Sequence, residues 1–382
     1  MTKTVGVIGG GQLAWMMGLE APKLDLSIVV QTPQPTDPAM ATAVAAVHTK
    51  IADVDGTKLL SDRCEVITFE NEFVDLVALQ PLAAQGVIFR PPLSALAPLL
   101  DKYTQRQFLA THNLPNPLYV TLDDTVTDEA VAAIAAPIDF PLVMKTRRLG
   151  YDGQGTFVIR SAAELVATWT QIERPPVLLE AFIPFEKELA VMVARSVQGD
   201  IVVYPVVETQ QVEQVCRRVL APAAIAPAVA EEVNAIARTL IEQLDFVGIL
   251  GIELFLGPGD QVLVNEVAPR THNSGHYTLD ACETSQFAQQ LLAVTGQHLG
   301  SPQMICDRAL MVNLLGVESA THDYAEQRQQ LAQIPQAQVY WYGKPAARPG
   351  RKLGHVTVCL AAGDDSTALM QQIESIWYPA QS

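Results

Sequence analysis

The opening of the chain alternates β-like and helical segments, and this alternation restricts the possible folds more than any other feature. Strands separated by helices pair in parallel and form a sheet that the helices cover. We therefore predict an α/β domain over residues 1–95, followed by a linker at 90–98. The segments are the strands "TVGVIGG" (4–10), "LSIVVQT" (26–32) and "CEVITFE" (64–70), and the helix "LAWMMGLEA" (13–21).

Two further regions follow in the chain. Residues 96–300 contain strand pairs separated by glycine-rich turns, and a helix at about 228–243, which predicts an α+β domain of antiparallel hairpins. Residues 301–382 contain short strands around a Gln-rich helical stretch and predict a small β-rich domain. The strand pairs are "FPLVMK" with "TFVIR", and "VGILGIELFL" with "QVLVNEV".

Composition excludes several classes of protein. The net charge of −16 argues against nucleic-acid binding, which needs a basic surface. No run of 18 apolar residues predicts a membrane span, and the N-terminus lacks the pattern of a signal peptide. Five scattered cysteines without C-x-x-C spacing indicate a reduced cytoplasm. Two basic clusters, "KTRR" (145–148) and "KPAARPGRK" (344–352), could hold an anionic substrate or form solvated loops.

Two glycine-rich stretches are typical of phosphate sites. "GGGQLA" (9–14) follows a strand and precedes a helix, but the next strand ends in Gln31, where a dinucleotide fold needs an acid. Phosphate binding by its amides, or tight packing, is therefore favoured over NAD or FAD. "KTRRLGYDGQGT" (145–156) joins two strands and predicts a mobile flap over phosphates; the alternative is an ordinary hairpin turn.

The sequence "GIELFLGPGDQVLVNEV" (251–267) predicts a hairpin that turns at Pro258-Gly259. If Gly257 pairs with Asp260, Glu253 lies opposite Val264, and Glu266 lies further along on the same face, roughly 7–8 Å away at Cα. Two such acids repel unless a cation lies between them, and an oxygen-only site suits Mg²⁺ with substrate phosphates. A regular ladder puts Asn265 on the other face, so a ligand role for it requires a twist or a bulge.

Further polar residues follow strand ends. Glu70 and Glu72 follow a parallel strand, where ligands bind in open α/β sheets, so one of them could contact substrate or cap a helix. His272 and His276 are four residues apart, but the neighbouring Pro269, Asn273 and Gly275 oppose a helix. Substrate contact is therefore favoured over zinc.

Over nearly its full length, the chain resembles the N5-carboxyaminoimidazole ribonucleotide synthetase family of ATP-grasp enzymes. The combination of "NEVAPRTHNSGHYT" with "RPGRKLGH" is specific to that family, whereas the ATP-grasp core is shared by many ligases. The resemblance is carried by "GGGQL", "TFENE", "DKYTQRQFL", "KTRRLGYDGQG", "LLEAFIPFEKELAVMVARS", "GIELF", "VNEVAPRTHNSGHYTLDAC" and "GKPAARPGRKLGHVT".

The resemblance implies a Rossmann-like domain over 1–95, an ATP-grasp domain over 96–300 and a C-terminal β-rich domain over 301–382, in a homodimer. The implied reaction is carboxylation of 5-aminoimidazole ribonucleotide with bicarbonate, driven by ATP and Mg²⁺, through carboxyphosphate. It implies that the nucleotide is bound by Lys102, Lys145, Gly150, Tyr151, Asp152, Gly153, Gln154, Gly155, Thr156, Glu180, Ala181, Phe182, Ile183, Glu188, Gln211, Asn265 and Glu266.

The same resemblance implies that Glu253, Glu266 and Asn265 bind the metal. The chain departs from the family pattern at Leu149, Gln154, Thr156 and Gln211. Another ATP-grasp ligase, or a nucleotide-binding protein without catalysis, remains as an alternative. The residues implied to surround bicarbonate and the ribonucleotide are Glu72, Tyr151, Asp152, Arg270, His272, Asn273, Ser274, Lys344 and Arg351.

Overall fold

The computed structural model describes residues 3–148 and 155–378. Its N-terminal part is a parallel four-stranded sheet in the order β3-β2-β1-β4, which confirms the predicted α/β alternation. The strands are β1 (Lys3–Ile8), β2 (Leu26–Gln31), β3 (Ala45–Val47) and β4 (Val66–Phe69), and the helices are α1 (Gln12–Glu20), α2 (Val54–Ser61), α3 (Leu76–Ala84) and α4 (Leu93–Leu96).

A second four-stranded sheet is antiparallel, in the order β5-β8-β6-β7. The predicted pairing of "FPLVMK" with "TFVIR" is confirmed, since Lys145 lies opposite Thr156. Most of the predicted flap, residues 149–154, lies outside the described residues. The elements are β5 (Tyr119–Leu122), β6 (Leu142–Thr146), β7 (Thr156–Ile159) and β8 (Val177–Ala181), with α5 (Lys102–Thr111), α6 (Asp128–Ala135) and α7 (Ala162–Gln171).

The third sheet is nine-stranded, in the order β14-β13-β9-β11-β12-β15-β17-β16, with β10 paired to β9. It continues across residue 300, because Arg218 on β12 pairs with Val312 on β15. Its strands are β9 (Lys187–Arg195), β10 (Ile201–Val203), β11 (Val207–Val212), β12 (Val215–Ala221), β13 (Gly248–Gly257), β14 (Gln261–Ala268), β15 (Arg308–Leu315), β16 (Ala337–Trp341) and β17 (Lys352–Leu360).

Five helices accompany this sheet, and α10 among them is buried at every residue. Phe287, Leu291 and Val294 of α10 pack with Met16 and Met17 of α1, which joins the third sheet to the first by apolar burial. Among the described residues, no helix is both long and apolar enough to cross a membrane. The helices are α8 (Pro227–Gln243), α9 (Thr278–Ala281), α10 (Gln286–Thr295), α11 (Ala325–Leu331) and α12 (Ser366–Trp377).

Candidate active site

A cavity of about 1930 Å³ lies between the parallel sheet, the end of the β13–β14 hairpin and the C-terminal loop. Its walls come from distant parts of the chain, including many residues that the sequence predicts to bind ligands. Lys145, Asn265 and Ser274 lie beside the wall rather than in it. The predicted residues in the wall are Glu72, Lys102, Thr156, Gln211, Glu253, Glu266, Arg270, His272, Asn273, Lys344 and Arg351.

The predicted register of the β13–β14 hairpin is wrong. Gly257 pairs with Gln261 rather than Asp260, because the turn takes three residues, and Leu254 rather than Glu253 lies opposite Val264. The register then shifts at a β-bulge, which leaves Asn265 as the extra residue and puts Glu253 directly opposite Glu266. The bulge aims one more side chain at the site, a known use of such irregularities. The two carboxylates therefore face each other more closely than the predicted diagonal would allow.

Each carboxylate of this pair has a cationic or titratable partner. Glu266 forms a 2.5 Å ion pair with Lys102, and Glu253 lies 3.2 Å from Nε2 of His272. Burial alone would raise the pKa of Glu253, but the hydrogen bond and charge of His272 outweigh it and lower the pKa to about 2. The Asn265 amide lies 3.5 Å from the Glu253 carboxylate. Glu253 is therefore held ionised in the wall of the cavity.

Behind this pair lies a buried ionic cluster. Glu180 is 2% exposed and contacts Arg106 at 2.5 Å and Lys145 at 2.7 Å. Lys145 also donates to Asn265 Oδ1 at 3.0 Å. Burial by itself would raise the pKa of Glu180, but Lys145 and Arg106 lower it to about 2. The Glu180 carboxylate, which the resemblance places at the adenine edge, is thus engaged in positioning Lys145.

The other residues implied to bind the nucleoside lie on neighbouring strands. Phe182 is 42% exposed just beyond β8, and Phe185 stacks on Phe255 with ring centroids 4.8 Å apart. Glu188 of β9 is half-buried, and burial together with the charge of Glu253 raises its pKa to about 7. Gln211 lies at a second irregularity, in the pairing of β11 with β12. A flat aromatic surface and a carboxyl group thus lie in the region implied for the nucleoside.

The glycine loop 9–11 is filled by the protein itself. The amides of Gly11 and Leu13 donate to the Glu70 carboxylate at 2.6 and 3.1 Å, so both amides are already occupied and the structure favours the tight-packing alternative. Gln31 is buried and donates to the carbonyls of Lys50 and Asp53, which makes it a packing residue. Glu70 thus caps α1.

Glu72, like Glu70, lines the cavity. It forms a 2.8 Å ion pair with Arg270, whose pKa is lowered by burial but raised overall, chiefly by Glu72. The structure therefore separates two acids that the sequence leaves equivalent: the Glu70 carboxylate binds amides at the start of α1, and the Glu72 carboxylate binds Arg270.

The segment 270–276 follows β14 and forms the floor of the cavity. Nδ1 of His272 lies 2.8 Å from Ser274 Oγ, while Asn273 exchanges two amide hydrogen bonds, of 2.9 and 2.7 Å, with Asn313 of β15. His276 is fully buried against His355, with ring centroids 5.1 Å apart. His272 therefore lines the cavity, whereas His276 lies in the interior of the protein.

At the opposite side of the cavity lies the C-terminal basic cluster. Lys344 donates to Gln12 Oε1 and to the carbonyl of Lys352, both at 2.6 Å. Arg351 donates to the carbonyl of Ala346 at 2.5 Å. Burial, and the neighbouring charge of Arg348, lower the pKa of Arg351. These cations therefore face the cavity against amide and carbonyl oxygens.

Sequence reasoning missed two residues of α5 that shape the site. Arg106 donates to the carbonyls of Val264 and Asn265 at 2.9 and 2.6 Å, and Gln105 pairs with both backbone groups of Val267 at 2.9 and 3.0 Å. Together they cover the open edge of β14 around the bulge. Residues 102, 105 and 106 share one helix face, and that spacing was the available signal.

The chain is similar to known proteins along nearly its whole length. Residues 1–98 match the ribonucleotide synthetase preATP-grasp domain, 107–287 the ATP-grasp domain and 309–371 the phosphoribosylaminoimidazole carboxylase C-terminal domain. The N5-carboxyaminoimidazole ribonucleotide synthase of Synechocystis sp. is 52% identical, and the alignment covers 98% of each chain. That of Synechococcus elongatus is 53% identical over 98% of this chain and 95% of the relative.

Solved structures are also similar to this chain. The N5-carboxyaminoimidazole ribonucleotide synthetase of Thermotoga maritima is 36% identical with a TM-score of 0.83, and 98% of each chain is covered. The Aspergillus clavatus enzyme, solved with ADP and 5-aminoimidazole ribonucleotide, is 28% identical with a TM-score of 0.89, also over 98% of each chain. The chain therefore belongs to the N5-carboxyaminoimidazole ribonucleotide synthase family, the ATP-grasp ligases that act in purine biosynthesis.

Proposed function

We propose that the cavity binds ATP at the Lys102–Lys145 side and 5-aminoimidazole ribonucleotide at the Lys344–Arg351 side, and that bicarbonate reacts between them. The observation that carries this proposal is the facing pair Glu253 and Glu266, which lines the same cavity as Lys102, Lys344 and Arg351. Such a pair would hold the cation that neutralises charge during phosphoryl transfer.

The residues of this pair suit Mg²⁺. They offer two carboxylates on facing positions of one hairpin, with the Asn265 amide beside them. Mg²⁺ commonly uses one or two carboxylates and completes its shell with water and substrate phosphates. When bound, the ion would neutralise charge on the transferred phosphoryl group.

In the proposed reaction, a bicarbonate oxygen attacks the γ-phosphorus of ATP and the bond to ADP breaks. The carboxyphosphate that forms releases phosphate and CO₂, and the substrate amine attacks the CO₂ carbon and loses a proton to give the N5-carbamate. Such chemistry depends on positioning and charge neutralisation rather than on a protein nucleophile. Arg270, held by Glu72, presents a fork of donors suited to an oxyanion.

The test is ADP release by the purified chain with each substrate omitted in turn. We expect release to require both bicarbonate and 5-aminoimidazole ribonucleotide. Formate in place of bicarbonate provides the control for a different ATP-grasp ligase. Release that depends on formate, or on neither carbon source, would refute the proposal.

We also propose that the chain works as a homodimer. The family resemblance alone supports this expectation. Sedimentation at micromolar concentration should show a species of twice the 41.4 kDa chain mass. A sedimentation profile with only the monomer would contradict it.

A further inference from the structure

Helix α10 is entirely buried, yet it carries glutamines at 286, 289 and 290. Gln286 is 0% exposed and pairs its side-chain amide with both backbone groups of His272. Its Oε1 accepts from the His272 amide at 2.9 Å, and its Nε2 donates to the His272 carbonyl at 2.7 Å. Nε2 also lies 3.1 Å from Nδ1 of His276. All the polar capacity of this buried side chain is therefore directed at the segment 272–276.

The residues around the segment 272–276 leave its backbone little room to move. A Cβ on Gly275 would meet Oε1 of Gln286 at 2.5 Å, and a Cβ on Gly251 of β13 would collide with the His272 side chain. The His272 backbone is thus confined between β13 on one side and the Gln286 amide on the other. Its imidazole, 3.2 Å from Glu253 and 2.8 Å from Ser274, inherits its position from that backbone.

We propose that Gln286 is a positioning residue for the reaction: by pairing with both backbone groups of His272, it sets the His272 ring against Glu253 at the floor of the cavity. Gln286 does not line the cavity, so it acts through its partners in the segment 272–276. This inference rests on the proposed function, because it assumes that chemistry takes place beside Glu253.

The same helix supplies a matched control. Gln289 is also 0% exposed, and it pairs with both backbone groups of Gly300, accepting from the amide at 3.0 Å and donating to the carbonyl at 3.1 Å. Gly300 does not line the cavity. Substitution of Gln289 therefore removes the same kind of two-point pair, in the same helix, without affecting His272.

The experiment compares Gln286→Met with Gln289→Met, which preserve length and remove the amide. For Gln286→Met we expect kcat to fall about 10- to 100-fold, the usual effect of a small misplacement, with KM for ATP unchanged within about twofold. Amide hydrogen exchange at His272 should become about tenfold faster, as one hydrogen bond is lost. For Gln289→Met we expect faster exchange at Gly300 only, and a wild-type kcat.

The outcomes separate this inference from the proposed function. If wild-type protein releases no ADP with the full substrate set, the proposed function fails. If wild type is active and the two variants share the same kcat, Gln286 is merely structural and the inference is refuted. If either Met variant does not fold, the pair Gln286→Asn and Gln289→Asn, which keeps a neutral amide but shortens its reach by one methylene, decides by the same comparison of kcat and exchange.

Discussion

The two basic sides of the cavity hold their cations in different ways. On the side of α5 and β6, Lys102 pairs with Glu266 and Lys145 with Glu180, at 2.5 and 2.7 Å. On the side of the C-terminal loop, Lys344 donates to Gln12 and a carbonyl, and Arg351 donates to a carbonyl. The first side matches its lysines with carboxylates, whereas Arg351 on the second side donates to a carbonyl oxygen and lies near the opposing charges of Arg348 and Asp37.

This difference fits the two ligands proposed for the cavity. ATP with Mg²⁺ brings both signs of charge, so it can exchange with ion pairs that are already present. A ribonucleotide phosphate brings only negative charge, and Arg351, which donates to a carbonyl oxygen, can bind it through the remaining donors of its guanidinium fork. We therefore expect substitutions on the first side to affect stability and turnover, and those on the second to affect substrate binding.

The largest effect is expected for Glu180→Gln, which leaves Arg106 and Lys145 buried without their shared carboxylate. Loss of one partner of a buried ion pair commonly costs about 3–5 kcal/mol of unfolding free energy. Chemical denaturation measures the cost. The control is Glu164→Gln, because Glu164 pairs at the surface with Arg160 and such pairs contribute about 0–1 kcal/mol. Equal losses in the two variants would contradict the assigned role of the buried cluster.

The pH dependence tests the same cluster. The pKa of Glu180 is about 2 in the folded chain, below its ordinary 4.5, so the unfolded chain binds the proton more tightly. The stabilisation by Glu180 is then complete above about pH 4.5 and disappears as the pH falls towards 2. We expect wild-type protein to lose this contribution in that range and Glu180→Gln to lack it. Parallel stability curves for the two proteins would refute the prediction.

A smaller effect on stability, but a large one on turnover, is expected for Glu266→Gln. The change removes a carboxylate from the proposed metal pair and leaves Lys102 without its 2.5 Å partner. Since even residues behind metal ligands cost about 10- to 100-fold when changed, we expect kcat to fall about 100-fold or more. ADP release at increasing Mg²⁺ measures it, with the exposed Glu283→Gln as the control. Wild-type turnover at saturating Mg²⁺ would rule out this assignment.

On the second side, Arg351→Ala should raise KM for 5-aminoimidazole ribonucleotide and leave KM for ATP unchanged. Loss of a charged hydrogen bond costs about 1.5–3 kcal/mol, and Arg351→Lys should cost less because it keeps the charge but not the fork of donors. Steady-state kinetics with each substrate varied in turn measures this. A rise in KM for ATP alone would show that the two sides have been assigned to the wrong ligands.

The sequence predicts the strands around the cavity better than it predicts the contacts between them. Apolar alternation predicts β13 and β14. With the turn at its observed length, the period of two would put Glu253 opposite Asn265, and only the bulge brings Glu266 opposite Glu253. The bulge at Asn265 could not be located, because it depends on Arg106 and Gln105 binding the edge of β14 from a helix about 160 residues away. The role of Gln286 could not be predicted for a similar reason, because the role of a polar residue in a buried helix depends on the group that it binds.

The smallest effect concerns the two acids after β4, which are Glu70 at the start of α1 and Glu72 beside Arg270. Glu70→Gln removes a charge that accepts from Gly11 and Leu13 at the start of α1, which should cost about 1 kcal/mol as a helix cap. Burial raises the pKa of Glu70 despite these hydrogen bonds, so its charged form is disfavoured and the neutral amide replaces it at little cost.

Kinetics on Glu70→Gln and Glu72→Gln separates the roles of these two acids. We expect both KM values to stay at the wild-type level in Glu70→Gln, because its carboxylate is used within the fold. Glu72→Gln should raise KM for bicarbonate or for the ribonucleotide, because it releases Arg270 from its 2.8 Å ion pair. A raised KM in Glu70→Gln with unchanged stability would mean that the glycine loop takes part in ligand binding. Its backbone amides would then form a third group of hydrogen-bond donors in the cavity.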